Sequence, residues 1–413
     1  MSKKEPSTRL HRNLVLGVVT NLDVIFNQGK QADKVIAKTL KSNKRWGKRD
    51  RAFVAENTYE VIRWKRLYAG IADVKAPFTD DDLWRILTVR WVLMGIALPD
   101  WPAFSKVPTR RIKGKFDELK KERVYAASIP DWIDNIGVQN LGVKKWEKEL
   151  TALNTPAKVV LRVNRLKTNP KLLQNALRDE DIQTQWTKEH PDALILEERT
   201  NVFDTDIFKR GWFEVQDASS QQVAHFCQVA PGMQVIDACA GAGGKTLHLA
   251  ALMENKGQIT SMDIYAHKLH ELKRRARRAG AQNITTKLIT STKTIKKLKG
   301  RADRVLIDAP CTGLGILRRN PDAKWKIHPD FLEKITQTQQ EILNSYASMV
   351  KIGGYLIYAT CSILKQENQD QIQQFLNSDT GQNFQLDKEA IVSPAASGFD
   401  GFYMARLIRK VVC

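Results

Sequence analysis

An α/β fold built on a mostly parallel sheet is what the carboxyl-terminal part of this 413-residue chain predicts. Three observations carry it. Short apolar runs alternate with helix-like stretches from Gln234 onward, a glycine-rich turn follows the first run, and later runs end in Asp263, Asp308 and Cys361. Alternation of this kind buries a sheet under helices on both faces. In such sheets ligands collect outside the carboxyl ends of the strands.

The earlier elements differ. Residues 1 to about 130 read as all-helical, with Leu14, Val18, Leu22 and Ile25, then Phe53, Tyr59, Ile62 and Leu67, at helical spacing. A basic connection, Lys41–Arg51, lies between these two sets. From about 140 to 230 the pattern becomes a small α/β unit. Lys158–Asn164 and Ala193–Leu196 read as strands, Pro170–Leu177 as a helix, and Asp217 as a helix cap before Gln221–Gln228. After Pro231-Gly232 the strand candidates are Gln234–Ala238, Gln258–Met262, Ile284–Ile289, Arg304–Ile307 and Tyr355–Tyr358. Thr246–Glu254, His267–Ala279 and Phe331–Val350 read as the intervening helices. The expected domains are 1–135, 136–230 and 231–413.

The charge balance narrows the partners. Lysine and arginine number 66 against 45 acidic residues, a net +21, and they cluster at Lys41–Arg51, Arg110–Arg123 and Lys268–Arg278. Clustered positive charge attracts polyanions, RNA or DNA first among them. The five cysteines (Cys227, Cys239, Cys311, Cys361, Cys413) form no CxxC pair, and His225, His248 and His328 show no metal spacing. No signal-like stretch follows Met1-Ser2-Lys3-Lys4-Glu5, and the longest apolar run, Trp91–Leu98, is far short of a membrane span. The expectation is a soluble, monomeric protein of the reducing cytoplasm, without metal or membrane.

The turn after the first strand reads Asp237-Ala238-Cys239-Ala240-Gly241-Ala242-Gly243-Gly244-Lys245-Thr246. Its end matches a P-loop, but that pattern needs glycine where Cys239 stands, which disfavours a nucleotide triphosphatase. The turn also departs from the dinucleotide G-x-G-x-x-G. Strand two ends at Asp263, an acceptor suited to ribose hydroxyls. A ribose-bearing ligand without an obligatory phosphate cradle points to S-adenosylmethionine.

Asp308-Ala309-Pro310-Cys311 and Thr360-Cys361-Ser362 each place a cysteine just past a strand-like run. Two thiols and a carboxylate converging there suit covalent chemistry on an electrophilic ring. Carbon 5 of a pyrimidine becomes nucleophilic once a thiolate adds to carbon 6. Ser362 capping a helix at Lys365–Leu376 would put the Cys361 sulfur near a positive helix end. Asp308 would hydrogen-bond the ring at nitrogen 3. Chemistry alone does not rank the two cysteines.

With these residues in place, the chain resembles the Sun/Nop-type RNA cytosine-5 methyltransferases, most closely their bacterial RsmB-like ribosomal RNA branch. The carrying stretches are Arg162-Val163-Asn164, Val215–Ser220, Cys239–Thr246, Asp308–Cys311, Arg318–Asp322, Thr360-Cys361-Ser362 and Asp400–Ala405. The resemblance implies a Rossmann-like S-adenosylmethionine-dependent methyltransferase domain, preceded by a small α/β unit and an all-helical NusB-like RNA-binding domain. It places S-adenosylmethionine against Cys239, Ala240, Gly241, Ala242, Gly243, Gly244, Lys245, Asp263 and Asp308, and assigns Cys361 as nucleophile and Cys311 to product release. It makes RNA the partner, ribosomal RNA or a ribosomal particle, with transfer RNA methylation or a non-catalytic assembly factor as alternatives.

Two positions depart from the family's pattern. Gly241-Ala242 replaces Ala-Pro in the cofactor turn, which predicts a looser turn, and Thr290-Ser291 stands where an aspartate near adenine is common. Arg318, Arg319 and Lys324, beside Trp325, read as a rim that grips phosphates and stacks a base.

Overall fold

The computed structural model describes residues 10–105 and 108–411; the Met1–Glu5 stretch and Cys413 lie outside the described residues. The chain forms two compact units. One comprises Met1–Asn154 with Leu317–Ile327, the other Thr155–Ile316 with His328–Cys413.

The first unit is all-helical, as its apolar spacing predicts. Helix Arg12–Phe26 buries Leu14, Val15, Val18, Val19, Leu22 and Ile25, one stripe of a 3.6-residue period. Asp80–Leu93 opens on a reciprocal cap: Thr79 Oγ1 accepts the Asp82 N–H at 3.2 Å, and Asp82 accepts that of Thr79 at 2.9 Å. The basic stretch before Lys48–Arg63 is partly structural, because Arg51 donates to the carbonyls of Leu40 (2.6 Å) and Trp46 (3.0 Å). The unit runs on past residue 135. Helices Asp131–Leu141 and Val143–Leu153 belong to it, tied together where buried Trp146 donates to Asp134 at 2.8 Å. The second helix buries Trp146, Leu150 and Leu153, so the pattern there is helical well beyond the expected boundary.

The second unit holds both sheets. The smaller comprises β1 (Val160–Val163), β2 (Thr184–Trp186), β3 (Ala193–Leu196) and β4 (Phe213–Val215), all antiparallel in the order β2-β3-β1-β4. The larger has seven strands: β5 (Gln234–Asp237), β6 (Gln258–Asp263), β7 (Ile284–Leu288), β8 (Ala302–Asp308), β9 (Val350–Thr360), β10 (Phe384–Val392) and β11 (Phe402–Arg409). Their order is β10-β11-β9-β8-β5-β6-β7, parallel from β9 to β7 and antiparallel at β11 and β10.

Period-two alternation sends Val305 and Ile307 to one buried face of the large sheet and Leu306 to the other, so both faces are core. The chain runs from β5 outward through β6 and β7, then returns to the far side of β5 at β8. That reversal opens the crevice in which Asp237, Asp263, Asp308 and Thr360 end their strands.

β10 and β11 are absent from the sequence alternation. β10 is an edge strand whose interior is largely exposed, with Gln385, Asp387, Lys388 and Glu389, and so it shows no apolar run. β11 is buried throughout Phe402–Leu407 and pairs with β9, Tyr403 opposite Thr360. No helix among the described residues is long and apolar enough to cross a membrane.

Candidate active site

The cofactor turn is shaped by its glycines and held from three sides. Gly241 and Gly243 adopt φ of +53° and +86°, a region that costs other residues energy, and a Cβ on Gly243 would lie 2.5 Å from Leu272. The Gly241 N–H donates to Asp263 Oδ2 at 2.8 Å, and the Ala240 N–H to the Met262 carbonyl at 2.8 Å. Arg275 donates to the Ala242 carbonyl at 2.8 Å, and buried Arg162, from β1, donates to the Gly244 carbonyl. Two arginines thus pin the turn where Gly241-Ala242 replaces Ala-Pro, against the expected looseness. Arg275 is itself paired with the buried Glu214 of β4 at 3.0 Å.

The donor set fits a nucleoside ligand. A Cβ on Gly241 or Gly244 would meet nothing within 4 Å, so the backbone there borders open space. Asp263 takes the Tyr265 N–H on Oδ1 (2.8 Å) and that of Gly241 on Oδ2, which leaves each oxygen one lone pair for a hydroxyl. Asp237 ends β5 fully buried. It accepts from Thr246 Oγ1 at 2.6 Å, while its Oδ1 has no partner among the described residues. Burial pushes its carboxyl up to about 7, reinforced by the negative charge of Asp308. Burial also holds the Cys239 thiol well above its ordinary range, so Cys239 is an uncharged part of the turn. Thr290 and Ser291 are exposed just past β7.

Lys245 reaches from the helix Gly244–Leu252 to Asp308, Nζ to Oδ2 at 2.7 Å, with the ring of Phe402 5.3 Å below its ammonium. Burial opposes the charge on Lys245, yet the Asp308 carboxylate outweighs it and raises the lysine above its usual value. Asp308 lies beside Ala359 in the parallel β8–β9 register, so the two cysteine loops leave the sheet side by side. The Cys311 and Cys361 sulfurs are 3.3 Å apart, and both residues are half-buried. The hydrogen bond to Cys361, then burial, raises the Cys311 thiol well above its ordinary range.

The cysteine loops fit together because Gly315 and Gly401 have no side chains. A Cβ on Gly315 would meet the Gly401 and Cys361 carbonyls at 2.4 and 2.7 Å. The Gly315 N–H donates to the Cys361 carbonyl at 2.9 Å, and that of Gly401 to the Gly315 carbonyl at 2.8 Å. Ser362 does not cap a helix. The helix starts at Gln369 after Asn368, and the Ser362 hydroxyl donates to Glu367.

The expected phosphate rim is not where sequence put it. Leu317–Ile327 packs within the helical unit. There Lys324, 2% exposed, donates to the Arg63 carbonyl at 2.9 Å and to Asn154 Oδ1 at 3.3 Å. Trp325 donates to the Ile62 carbonyl at 2.7 Å and packs on the helical core. Arg318 is 7% exposed, its carbonyl accepting from Arg63 at 3.1 Å; only Arg319 of the three stays half-buried. Basic residues near an active-site loop read as a rim, whereas Lys324 and the Arg318 carbonyl are tied into the helical core.

Sequence spacing also hides a cluster. Asp192, His225 and His248 bring three potential metal-ligand atoms within 4.8 Å. Asp192 accepts from Arg165 at 2.5 Å and shares its other oxygen with the two rings, at 2.8 and 3.0 Å. Burial drives His248 down to about 3, so its ring is neutral. Its Nδ1 has no partner among the described residues, so freeing Nε2 for a metal would strand a proton there. The cluster is built as a hydrogen-bonded hub.

The family model described as "16S rRNA methyltransferase RsmB/F" matches residues 225–408, and that of the RsmF/B-like ferredoxin-like domain matches 129–203. A Bacillus subtilis protein named "Probable ribosomal RNA small subunit methyltransferase B" is 31% identical over 340 residues, 78% of this chain and 73% of that one. The chain spans 60% to 73% of the length of the first curated relatives it matches. Among solved structures, one titled PH0851 superposes with a TM-score of 0.82 at 23% identity, covering 98% of this chain and 100% of that one. A methyltransferase homologue from Pyrococcus horikoshii gives 0.61 at 26%, covering 70% of this chain and 98% of that one. The pinned turn, the strand-end carboxylates and these likenesses lead to one conclusion: the chain belongs to the RsmB/F family of RNA methyltransferases, with S-adenosylmethionine as its cofactor.

Proposed function

We propose that the protein methylates carbon 5 of a cytosine in ribosomal RNA, in the cytoplasm, through a transient bond from Cys361 to the base. The observation that carries this reading is the pair of sulfurs 3.3 Å apart at the ends of β8 and β9, beside the Lys245–Asp308 pair. The names of the curated relatives favour ribosomal RNA of the small subunit.

In this reading the target base leaves its stack to reach the crevice. The Cys361 thiolate adds to carbon 6, and charge spreads over the ring toward nitrogen 3. Lys245 and Asp308 offer a donor and an acceptor side by side, matching ring nitrogen 3 and the exocyclic amine. S-adenosylmethionine, when bound, supplies the electrophilic methyl group. Cys311, kept as a thiol, then assists departure of Cys361 once the carbon 5 proton is gone. The exposed basic residues Arg110, Arg111 and Lys113 of helix Thr109–Leu119 are suited to phosphates, as are Lys273, Arg274 and Arg277 of helix Ala266–Ala279.

The test is methyl transfer from labelled S-adenosylmethionine to undermethylated ribosomal RNA. Cys361→Ala should abolish transfer, and Cys311→Ala should accumulate protein covalently bound to RNA. Full activity in both variants would sink the assignment.

A further inference from the structure

The Glu367 carboxylate is fully buried, and its hydrogen-bond donors come from both cysteine loops. On the Cys311 side, the Thr312 N–H donates to Oε1 at 2.8 Å and the Thr312 hydroxyl to Oε2 at 2.5 Å. On the Cys361 side, the Ser362 hydroxyl donates to Oε2. Buried Gln339, from the helix Pro329–Tyr346, completes the set: its Nε2 donates to Oε1 at 3.2 Å and to the Pro310 carbonyl at 2.9 Å.

The backbone that carries Glu367 is fixed in turn. Tyr358 Oη, from inside β9, donates to the Glu367 carbonyl at 2.8 Å, and Asn368 Nδ2 donates to the Ser362 carbonyl at 3.0 Å. Glu367, Thr312, Ser362, Gln339, Tyr358 and Asn368 are all buried, and Pro310 joins the network only through its backbone carbonyl. A buried carboxylate satisfied by loop donors is costly to disturb, because removing it leaves several of them unpaired.

We infer that Glu367 is a positioning residue, a clamp that joins the Thr312 and Ser362 loops and so fixes how far the Cys311 sulfur stands from that of Cys361. The inference rests on the proposed roles of the two cysteines only for its effect on methylation; the clamp itself concerns geometry. Its negative charge also contributes to holding Cys311 as a thiol, after the larger effects of Cys361 and burial.

Two substitutions separate geometry from charge. Glu367→Gln keeps the reach: its carbonyl accepts from Thr312 N and Gln339, and its amide donates to the two hydroxyl oxygens. Glu367→Asp keeps the charge but, one methylene shorter, cannot span both loops. The readout that involves no RNA is formation of the Cys311–Cys361 disulfide by diamide, which takes up the two thiol hydrogens as the S–S bond forms. It is followed by peptide mass in the full chain with S-adenosylmethionine bound.

The clamp predicts Glu367→Gln within about threefold of the unaltered protein in cross-linking rate and kcat. Glu367→Asp should lose about tenfold or more in both, because small misplacements of reacting groups are costly. The KM for S-adenosylmethionine should stay within about twofold in each. Glu367→Asp performing as well as Glu367→Gln, or both matching the unaltered protein, overturns the proposal. Ser362→Ala, which removes one link and keeps the carboxylate, serves where either variant fails to fold: it too should slow cross-linking, and an unchanged rate counts against the clamp. Methyl transfer surviving in Cys361→Ala would remove the catalytic reading, yet the disulfide comparison would still judge the clamp.

Discussion

The Lys245 ammonium and the Asp308 carboxylate meet at 2.7 Å, joining the cofactor turn to the end of β8 across the strand-order reversal. One contact therefore connects the proposed methyl-donor side of the crevice to the side carrying the cysteines. Lys245→Met keeps the length of the side chain and removes its charge. Methyl transfer should fall about 10²-fold, the usual cost of deleting one preorganised electrostatic group, with RNA binding little changed. Because Asp308 raises Lys245 above its usual value, the pair is intact below the ordinary lysine range and is lost only as pH rises past it. Rate profiles between neutral and mildly alkaline pH should show no step from this lysine. A single-turnover assay checks both points.

Arg275 offers a test of the cofactor turn that leaves the reacting groups alone. It holds the Ala242 carbonyl at 2.8 Å and pairs with Glu214. Arg275→Ala removes a hydrogen bond worth ~1 kcal/mol, so the Kd for S-adenosylmethionine should rise about fivefold. Calorimetric titration of the cofactor measures this directly. An unchanged Kd would mean that the turn is held without the arginine.

Asp237 predicts a pH dependence of stability. Burial raises its folded carboxyl from the ordinary aspartate value of 3.8 to about 7. The folded state therefore binds a proton that the unfolded chain releases. The stabilisation is complete below the unfolded value and is lost progressively as pH rises to about 7. Asp237→Asn still accepts from Thr246 and carries no charge. Relative to the unaltered protein it should gain on the order of 1–3 kcal/mol between pH 5 and pH 8. Urea unfolding at the two pH values decides it; parallel stability curves would place the titration elsewhere.

The parallel strands and their terminal residues were legible because central strands buried on both faces are continuous apolar runs. Val305-Leu306-Ile307 and Tyr355–Tyr358 announce β8 and β9, and Asp308 and Cys361 follow at the ends where an open sheet puts its ligands. Edge strand β10 had no such run to announce it. Nor could spacing reveal partners brought together only by folding. Glu367 looks like any polar residue near a helix start, and Arg162 like a charged strand residue, until Thr312 and Gly244 appear beside them. Lys324 shows the reverse error: its charge type reads as surface, while its surroundings are core.

Lys324 makes that last point measurable. Burial, and then the neighbouring Arg63, hold its amine well below the usual lysine range. A lowered folded value means that the folded state sheds a proton the unfolded chain keeps, so this residue's contribution to stability grows as pH rises toward the ordinary lysine value. Lys324→Met fills the same volume without that penalty, although it gives up hydrogen bonds to the Arg63 carbonyl and Asn154. RNA affinity and its salt dependence should therefore be unaltered in Lys324→Met. Neutralising the exposed Lys113, as Lys113→Gln, should weaken binding and lower the slope of log K against log salt by about 1. Filter binding over a salt series, with a ribosomal RNA fragment as probe, distinguishes the two. A reduced slope in Lys324→Met would return that side chain to the RNA surface and contradict the packing described for Leu317–Ile327.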